Sequence, residues 1–162
     1  MENQFLYILI GIAATFLLDC LGLLLHYTIR IPKTEWRFIG RWFIKMQYLQ
    51  FLHNPIGSSA PERYELFMGW FMHYLIGVIF SVFYFNFMAY VGIEPNLNNA
   101  TIFGASTLVF PYLIMQPALG YGFFARKHKR PILTPIMSIL AHLTFGQFLY
   151  VVYVIGSSWI VY

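Results

Sequence analysis

The chain has 162 residues, of which 59% are hydrophobic, 20% aromatic and only 10% charged, with a formal net charge of +4. An average soluble domain is about one quarter charged, and this apolar excess is larger than a core of that size can bury. The composition therefore excludes a soluble monomer and predicts that lipid surrounds most of the chain; the single cysteine, Cys20, also excludes a fold held by internal disulfides.

Four apolar stretches are long enough to cross a bilayer as helices, which takes about 20 residues each. They are continuously apolar, without the alternation of polar and apolar residues that marks a membrane β-barrel. The sequence therefore predicts an all-α, polytopic membrane protein that forms a single membrane domain over residues 1–162. The four predicted transmembrane helices cover about residues 5–29, 66–91, 100–124 and 135–161.

The ten Lys and Arg residues all lie in two of the connecting loops. Six lie between the first and second spans and four between the third and fourth, whereas the N-terminus, the loop at residues 92–99 and the C-terminus have none. The positive-inside rule then places both basic loops in the cytoplasm and both termini outside it. We expect these charges to contact anionic lipid headgroups, and we expect no nucleic-acid partner.

The first span carries two ionisable residues, Asp19 and His26. An ionisable group at the middle of a span costs about 2.5 to 3.5 kcal/mol on insertion scales, so each is a candidate for function. The two residues are seven positions apart, which places them on nearly the same helix face. We therefore take both as candidate binding residues.

The first basic loop contains a predicted amphipathic helix over about residues 34–50. Apolar residues recur there at spacings of three and four, and a basic row that includes Arg41 recurs at a spacing of four. This pattern is typical of a helix that lies in the plane of the lipid headgroups. The apolar positions are Trp36, Ile39, Phe43 and Met46, and the basic positions are Arg37, Arg41 and Lys45.

A turn follows this helix at His53, Asn54 and Pro55. Two interpretations are open for His53. It could contribute with Asn54 and Arg41 to a site that faces the cytoplasm, or it could be a turn residue that titrates in water.

The second and fourth spans share a pattern of small residue, His, Gly, variable residue and Tyr at steps of four, four, four and three. The steps keep each set on one helix face, with His73 and Tyr84 in the second span and His142 and Tyr153 in the fourth. We interpret the pattern as an internal duplication in which each repeat is a helix, a basic loop and a second helix. Two such units would be parallel repeats about an axis along the membrane normal.

The third span contains Gln116 directly before Pro117, with Pro111 earlier in the same helix. Because proline lacks an amide N–H, we expect a kinked helix with some carbonyl groups released from hydrogen bonds. Gln116 is the weaker counterpart of Asp19 in the proposed duplication. The polar residues all fall in the cytoplasmic halves of the predicted spans, which predicts a polar cavity open to the cytoplasm.

Several short motifs are distributed along the chain. They are Asp19, Gly40-Arg41-Trp42, His53, Gly69-Trp70, His73-Tyr74, Gly77, Gln116-Pro117, Gly120, Gly122, Ala141-His142 and Phe145-Gly146. Together these motifs resemble DUF2938, a bacterial family of small uncharacterised membrane proteins, over nearly the whole chain. The resemblance implies a four-helix protein of the bacterial inner membrane, and it implies no activity and no catalytic residue.

Three functional hypotheses are compatible with these residues. In the first, the protein is a small transporter or a proton- or ion-coupled permease-like unit in which Asp19 and the histidines bind the transported ion. Since four helices are few for a transport pathway, we expect a homodimer or another membrane partner. In the second, His73 and His142 are axial ligands to a b-type haem or bind a metal.

The third hypothesis is an enzyme or accessory subunit that acts on lipid. The sequence has no recognised catalytic spacing, so no catalytic residue is predicted. A purely structural interpretation also stays open, in which each intramembrane histidine bonds to a carbonyl group or to Asp19 and stabilises the bundle.

Overall fold

The computed structural model describes residues 2–160, with side chains described for residues 4–157. This part of the chain consists of helices joined by turns, as the sequence predicts. Position 161, where the fourth predicted span ends, lies outside the described residues. The α-helices are α1 (Glu2–Ile29), α2 (Trp36–Met46), α3 (Glu65–Val91), α4 (Leu97–Ser106), α5 (Gln116–Ala118) and α6 (Leu133–Ile160).

Three of the described helices are long and apolar enough to cross a membrane: Gln4–Ile29, Glu65–Val91 and Leu133–Ser157. Each exposes large apolar side chains along its length, which is typical of a membrane span. The exposed side chains include Phe5 and Phe67. These helices correspond to the first, second and fourth predicted spans.

The third predicted span is divided into separate pieces. It consists of α4, a π-helix at Phe110–Met115 and the short α5. The prolines explain the π-helix, because the missing N–H groups prevent a regular pattern and the Gln116 N–H donates instead to the Pro111 carbonyl, five residues back. The helix ends at Ala118, six residues before the predicted end, since Gly120 and Gly122 have positive φ angles of 84° and 71°.

Helix α2 is shorter than the predicted range of 34–50. It ends at Met46 in a turn whose last residue, Leu49, has a left-handed φ of 59°. The following segment includes a 3-10 helix at Ile56–Ser58. Residues 47–64 therefore form a folded loop between α2 and α3.

The chain divides into two compact units. The first unit contains the chain up to Lys33, His73–Ser106 and the chain from Ala141, whereas the second contains Thr34–Met72 and Thr107–Leu140. Each unit has its own hydrophobic core. The core of the first includes Ile10, Ala14, Tyr84, Phe85, Phe145 and Leu149, and the core of the second includes Trp42, Ile56, Ala118 and Leu119.

Candidate functional site

Helices α1 and α3 approach closely in the first unit because small residues line their contact. A Cβ atom on Gly77 would clash with the Thr15 hydroxyl, and one on Gly11 would lie 2.8 Å from the α3 backbone. Positions of increasing number on α1 meet positions of decreasing number on α3, so the two helices are antiparallel. One turn beyond the contact between Thr15 and Gly77, this register places Asp19 opposite His73.

Asp19 is at the centre of a hydrogen-bonded cluster. Its Oδ1 atom lies 3.0 Å from His73 Nε2, and its Oδ2 atom accepts a hydrogen bond of 3.0 Å from the Tyr74 hydroxyl. The side chains of Asp19 and His73 are only 16% and 15% exposed. Both carboxylate oxygens therefore have partners on α3, and these bonds offset part of the cost of placing a carboxylate in an apolar helix pair.

His142 belongs to the same compact unit as Asp19 and His73. Its helix, α6, packs closely on α4. A Cβ on Gly104 would clash with the His142 carbonyl oxygen, and one on Gly146 would clash with the Ala100 carbonyl oxygen. Asp19, His73 and His142 are therefore three titratable groups of one unit.

Tyr74 is a member of this cluster that the candidate residues of the sequence analysis do not include. It directly follows His73, and a helix turns about 100° per residue. Neighbouring positions therefore point in different directions, and helical periodicity gives no reason to place both side chains on Asp19. The Asp19 carboxylate has two oxygens and accepts from both side chains.

His26 is not part of the Asp19 cluster. Its Nδ1 atom donates a 2.7 Å hydrogen bond to the Ile31 carbonyl, and the Arg30 N–H donates to the His26 carbonyl. Arg30 has a φ of 59°, which is the left-handed conformation that ends many helices. The His26 side chain thus caps the end of α1, although its spacing predicts the same face as Asp19.

Tyr84 and Tyr153 lie in or against the hydrophobic core of the first unit. The Tyr84 hydroxyl donates to Asn99 Oδ1, at the beginning of α4, and the Tyr153 ring packs 5.1 Å from the ring of Phe85. The shared position of the two tyrosines on their helices therefore corresponds to core packing.

Gln116 lies in the second unit, whereas Asp19 lies in the first. The Gln116 side chain is buried, and its Nε2 atom donates a weak 3.4 Å hydrogen bond to Ser138 Oγ. Within the described part of the chain, its Oε1 atom has no hydrogen-bond partner. Such a group is uncommon in folded proteins, because a buried acceptor without a partner loses its hydration.

A second polar cluster joins α2 to the beginning of α3. Arg41 is 4% exposed and forms a bidentate ion pair with Glu65, with Nε–Oε2 and Nη2–Oε1 distances of 2.7 and 3.1 Å. Its Nη1 atom donates to the Ser59 carbonyl at 2.7 Å. Next to it, Lys45 Nζ lies 2.7 Å from Glu62 Oε1.

These ion pairs correct the predicted direction of the basic row on α2. Arg41 and Lys45 are buried, so they do not face the lipid headgroups, and of the three basic residues only Arg37 is exposed. Close backbone packing explains the arrangement, since a Cβ on Gly40 would clash with the Glu65 carbonyl oxygen. The acidic partners were missed because spacing within one helix carries no information on its partners.

His53 is held by three hydrogen bonds in the loop after α2. Its backbone N–H donates to the Ala118 carbonyl at 2.9 Å, and its Nε2 atom donates to the Gln50 carbonyl at 3.2 Å. Its Nδ1 atom accepts from the Ser59 hydroxyl at 3.3 Å. His53 thus connects the loop to the end of α5, while the neighbouring Asn54 side chain is exposed.

The structure also bears on the haem and metal hypothesis. Among the described residues, no three His, Cys, Asp or Glu side chains form a group suited to hold a metal ion. The Nε2 atom of His73 is hydrogen-bonded to Asp19, and a haem iron bound at that atom would have to displace the carboxylate. Coordination by His73 and His142 therefore stays a prediction.

Comparison with known proteins gives one family. No curated protein and no solved structure matches the chain. The model of a family described as "Protein of unknown function (DUF2938)" matches residues 8–156, a range that includes both polar clusters. The resemblance seen in the sequence motifs is confirmed, and the chain belongs to the DUF2938 family.

Proposed function

We propose that this chain is a multi-pass protein of the bacterial inner membrane that transports a proton or a small cation, with Asp19 as the ion-binding group. The observation that carries the proposal is the bond between Asp19 and His73 inside a closely packed pair of membrane-length helices. Ionisable residues are rare in such helices and usually mark ion pathways or proton relays.

The cluster can hold and exchange a proton. Asp19 as a carboxylate accepts from both His73 and Tyr74, and a proton can pass between the carboxylate and the imidazole along their hydrogen bond of 3.0 Å. A small cation would compete with these two donors for the same oxygens. We propose His142, which belongs to the same unit, as the next titratable group of the relay.

We expect the Asp19 cluster to lie in the cytoplasmic half of the membrane. Both basic loops would be cytoplasmic and both termini outside, by the positive-inside rule. A homodimer would supply the further helices that a pathway needs. Its contact would lie away from Gly77, Gly104 and Gly146, which are filled by helices of the same chain.

Proton flux in proteoliposomes tests the proposal. The purified protein is reconstituted with a pH-sensitive dye inside the vesicles, and the internal pH is followed after an external pH jump. We expect flux for the natural chain and its loss in Asp19→Asn, which keeps the side-chain shape but cannot hold the charge. Gly22→Ala is the matched control on the same helix, because a Cβ there would meet no atom within 4 Å.

Two results would contradict the proposal. One is a folded Asp19→Asn variant with unchanged flux. The other is the absence of flux in the natural chain for protons and for monovalent cations. An absorption spectrum of the same purified sample tests the haem hypothesis independently, since a b-type haem gives a strong Soret band.

A further inference from the structure

The loop after α2 exposes a short apolar segment, residues 48–52, which we call the apolar tip. It contains no charged residue, and its four large apolar side chains are between half and four-fifths exposed. Their exposed fractions are 61% for Tyr48, 79% for Leu49, 50% for Phe51 and 78% for Leu52. We propose that the apolar tip inserts into the headgroup region of the lipid bilayer on the cytoplasmic side.

The backbone of the apolar tip is held in place while its side chains point outward. Trp42 Nε1 donates a 2.9 Å hydrogen bond to the Phe51 carbonyl, and His53 Nε2 donates to the Gln50 carbonyl. Leu49 has a φ of 59°, a conformation that is uncommon for residues other than glycine. The fold thus fixes the backbone of the apolar tip while leaving the Leu49 side chain 79% exposed and available to lipid.

The position of the apolar tip along the chain places it near the membrane surface. Lys45, three residues before the tip, is bonded to Glu62, three residues before the membrane-length helix that begins at Glu65. These short connections keep the tip within roughly 25 Å of the beginning of that span. The headgroup layer on each side of the hydrocarbon core is about 5 to 8 Å thick.

The chemistry of the tip favours an apolar contact over an electrostatic one. The neighbouring cations on α2, Arg41 and Lys45, are buried and paired with acidic residues. Tyrosine is enriched at membrane interfaces, and leucine and phenylalanine bury well among acyl chains. A shallow depression of about 360 Å³, lined by residues 49–53, provides space beside these side chains. We therefore expect insertion to need no anionic lipid.

Spin labels test this inference on the full-length chain. Single cysteines are introduced as Leu49→Cys and Leu52→Cys in a Cys20→Ala background, labelled, and reconstituted in vesicles of phosphatidylcholine alone. Lys129→Cys, an exposed residue of the other basic loop, is the control. Power-saturation electron paramagnetic resonance then compares collisions with oxygen, which partitions into lipid, and with a water-soluble nickel chelate.

We expect labels at 49 and 52 to collide several-fold more with oxygen than with the nickel chelate, and the label at 129 to show the reverse. Equal access of the nickel chelate to all three sites would overturn the inference. Strong dipolar broadening between labels at 49 would overturn it as well, because it would assign the tip to a contact with a second copy. Neither result depends on transport.

Discussion

Asp19 on α1 and His73 on α3 are joined by a 3.0 Å hydrogen bond, one helical turn from the point where Thr15 packs on Gly77. The two features are related, because α3 can reach the carboxylate only if its backbone lies close to α1. The small residues of the pattern are therefore part of what forms the polar cluster. The predictions below test this packing, the second cluster and the role of the buried polar groups.

Gly77→Ala should separate α1 from α3. The added Cβ would clash with the Thr15 hydroxyl, and overpacking of this kind costs about 1 to 3 kcal/mol. Thermal unfolding in detergent measures the loss. Adding Thr15→Ala should restore part of it, since the Thr15 Cβ lies 3.4 Å from the added atom, an ordinary contact. Equal stability of Gly77→Ala and the natural chain would contradict the close packing.

Arg41→Met should destabilise the second unit strongly. Removing one partner of a buried ion pair leaves the Glu65 charge without compensation, at a cost of about 3 to 5 kcal/mol. The double variant Arg41→Met with Glu65→Leu should lose clearly less than the sum of the two single losses. Arg37→Ala, an exposed neighbour, should change the free energy of unfolding by less than about 0.5 kcal/mol. Additive losses in the double variant would show that the two residues are not coupled.

The second basic loop should become less stable in acid because of His128. Burial lowers the pKa of His128 below its ordinary value of 6.5, and the charges of Lys129 and Arg130 lower it further. Its Nδ1 atom accepts from the Thr134 hydroxyl at 2.8 Å and from the Arg130 N–H at 3.2 Å, so protonation of Nδ1 would break the bond from Arg130 and reverse the one with Thr134.

Since the folded pKa of His128 lies below the unfolded one, its contribution to stability is complete above about pH 6.5 and declines as the pH falls through the folded value. Hydrogen exchange of residues 126–134 at pH 7.5 and pH 5, with each rate divided by the intrinsic base-catalysed rate at that pH, measures the change as a protection factor. We expect lower protection factors at pH 5 in the natural chain. His128→Asn, which keeps an acceptor but does not titrate, should show similar protection factors at both values, and an unchanged pH dependence of protection in this variant would exclude His128 as the cause.

Gln116→Leu should not destabilise the protein. The Gln116 Oε1 atom is buried without a partner among the described residues, and a group in that state costs about 1 to 3 kcal/mol. Leucine has a similar volume and removes the polar atom, so the free energy of unfolding should stay the same or rise. Gln116→Ala, which leaves a cavity, is the comparison. A loss in Gln116→Leu as large as that in Gln116→Ala would mean that the amide oxygen has a donor.

Helices α1, α3 and α6 could be predicted closely from the sequence, because their residues are apolar on all sides and the pattern needs no partner. The third span could be predicted only in part. Pro111 and Pro117 indicated an irregular helix, and the structure has a π-helix there. Its end depends on the positive φ angles of Gly120 and Gly122, which residue spacing does not reveal. Gly120 also lies at a close backbone contact, since a Cβ there would lie 2.8 Å from the Pro55 Cα.

The contacts of the candidate residues were harder to predict than the helices. Asp19 and His73 are 54 positions apart, and the spacing of residues within one helix does not determine the register between two. The same limit explains Arg41, whose partner Glu65 lies beyond the loop. The available signal in the sequence was a pair of acidic residues, Glu62 and Glu65, at the beginning of an apolar span that follows a loop with a basic row. For His26, the helix spacing predicted a place beside Asp19 on one face of α1. The side chain instead bonds to the backbone at the end of the helix, which spacing alone does not reveal.

The most direct measurement of the central claim is the initial rate of proton flux into proteoliposomes for Asp19→Asn and Tyr74→Phe against the natural chain. If Asp19 is the ion-binding group, flux is lost in Asp19→Asn and reduced but present in Tyr74→Phe, because the latter removes one of the two hydrogen bonds to the carboxylate. Natural flux in a folded Asp19→Asn protein would contradict the account, and the cluster would then serve only to hold α1 and α3 together.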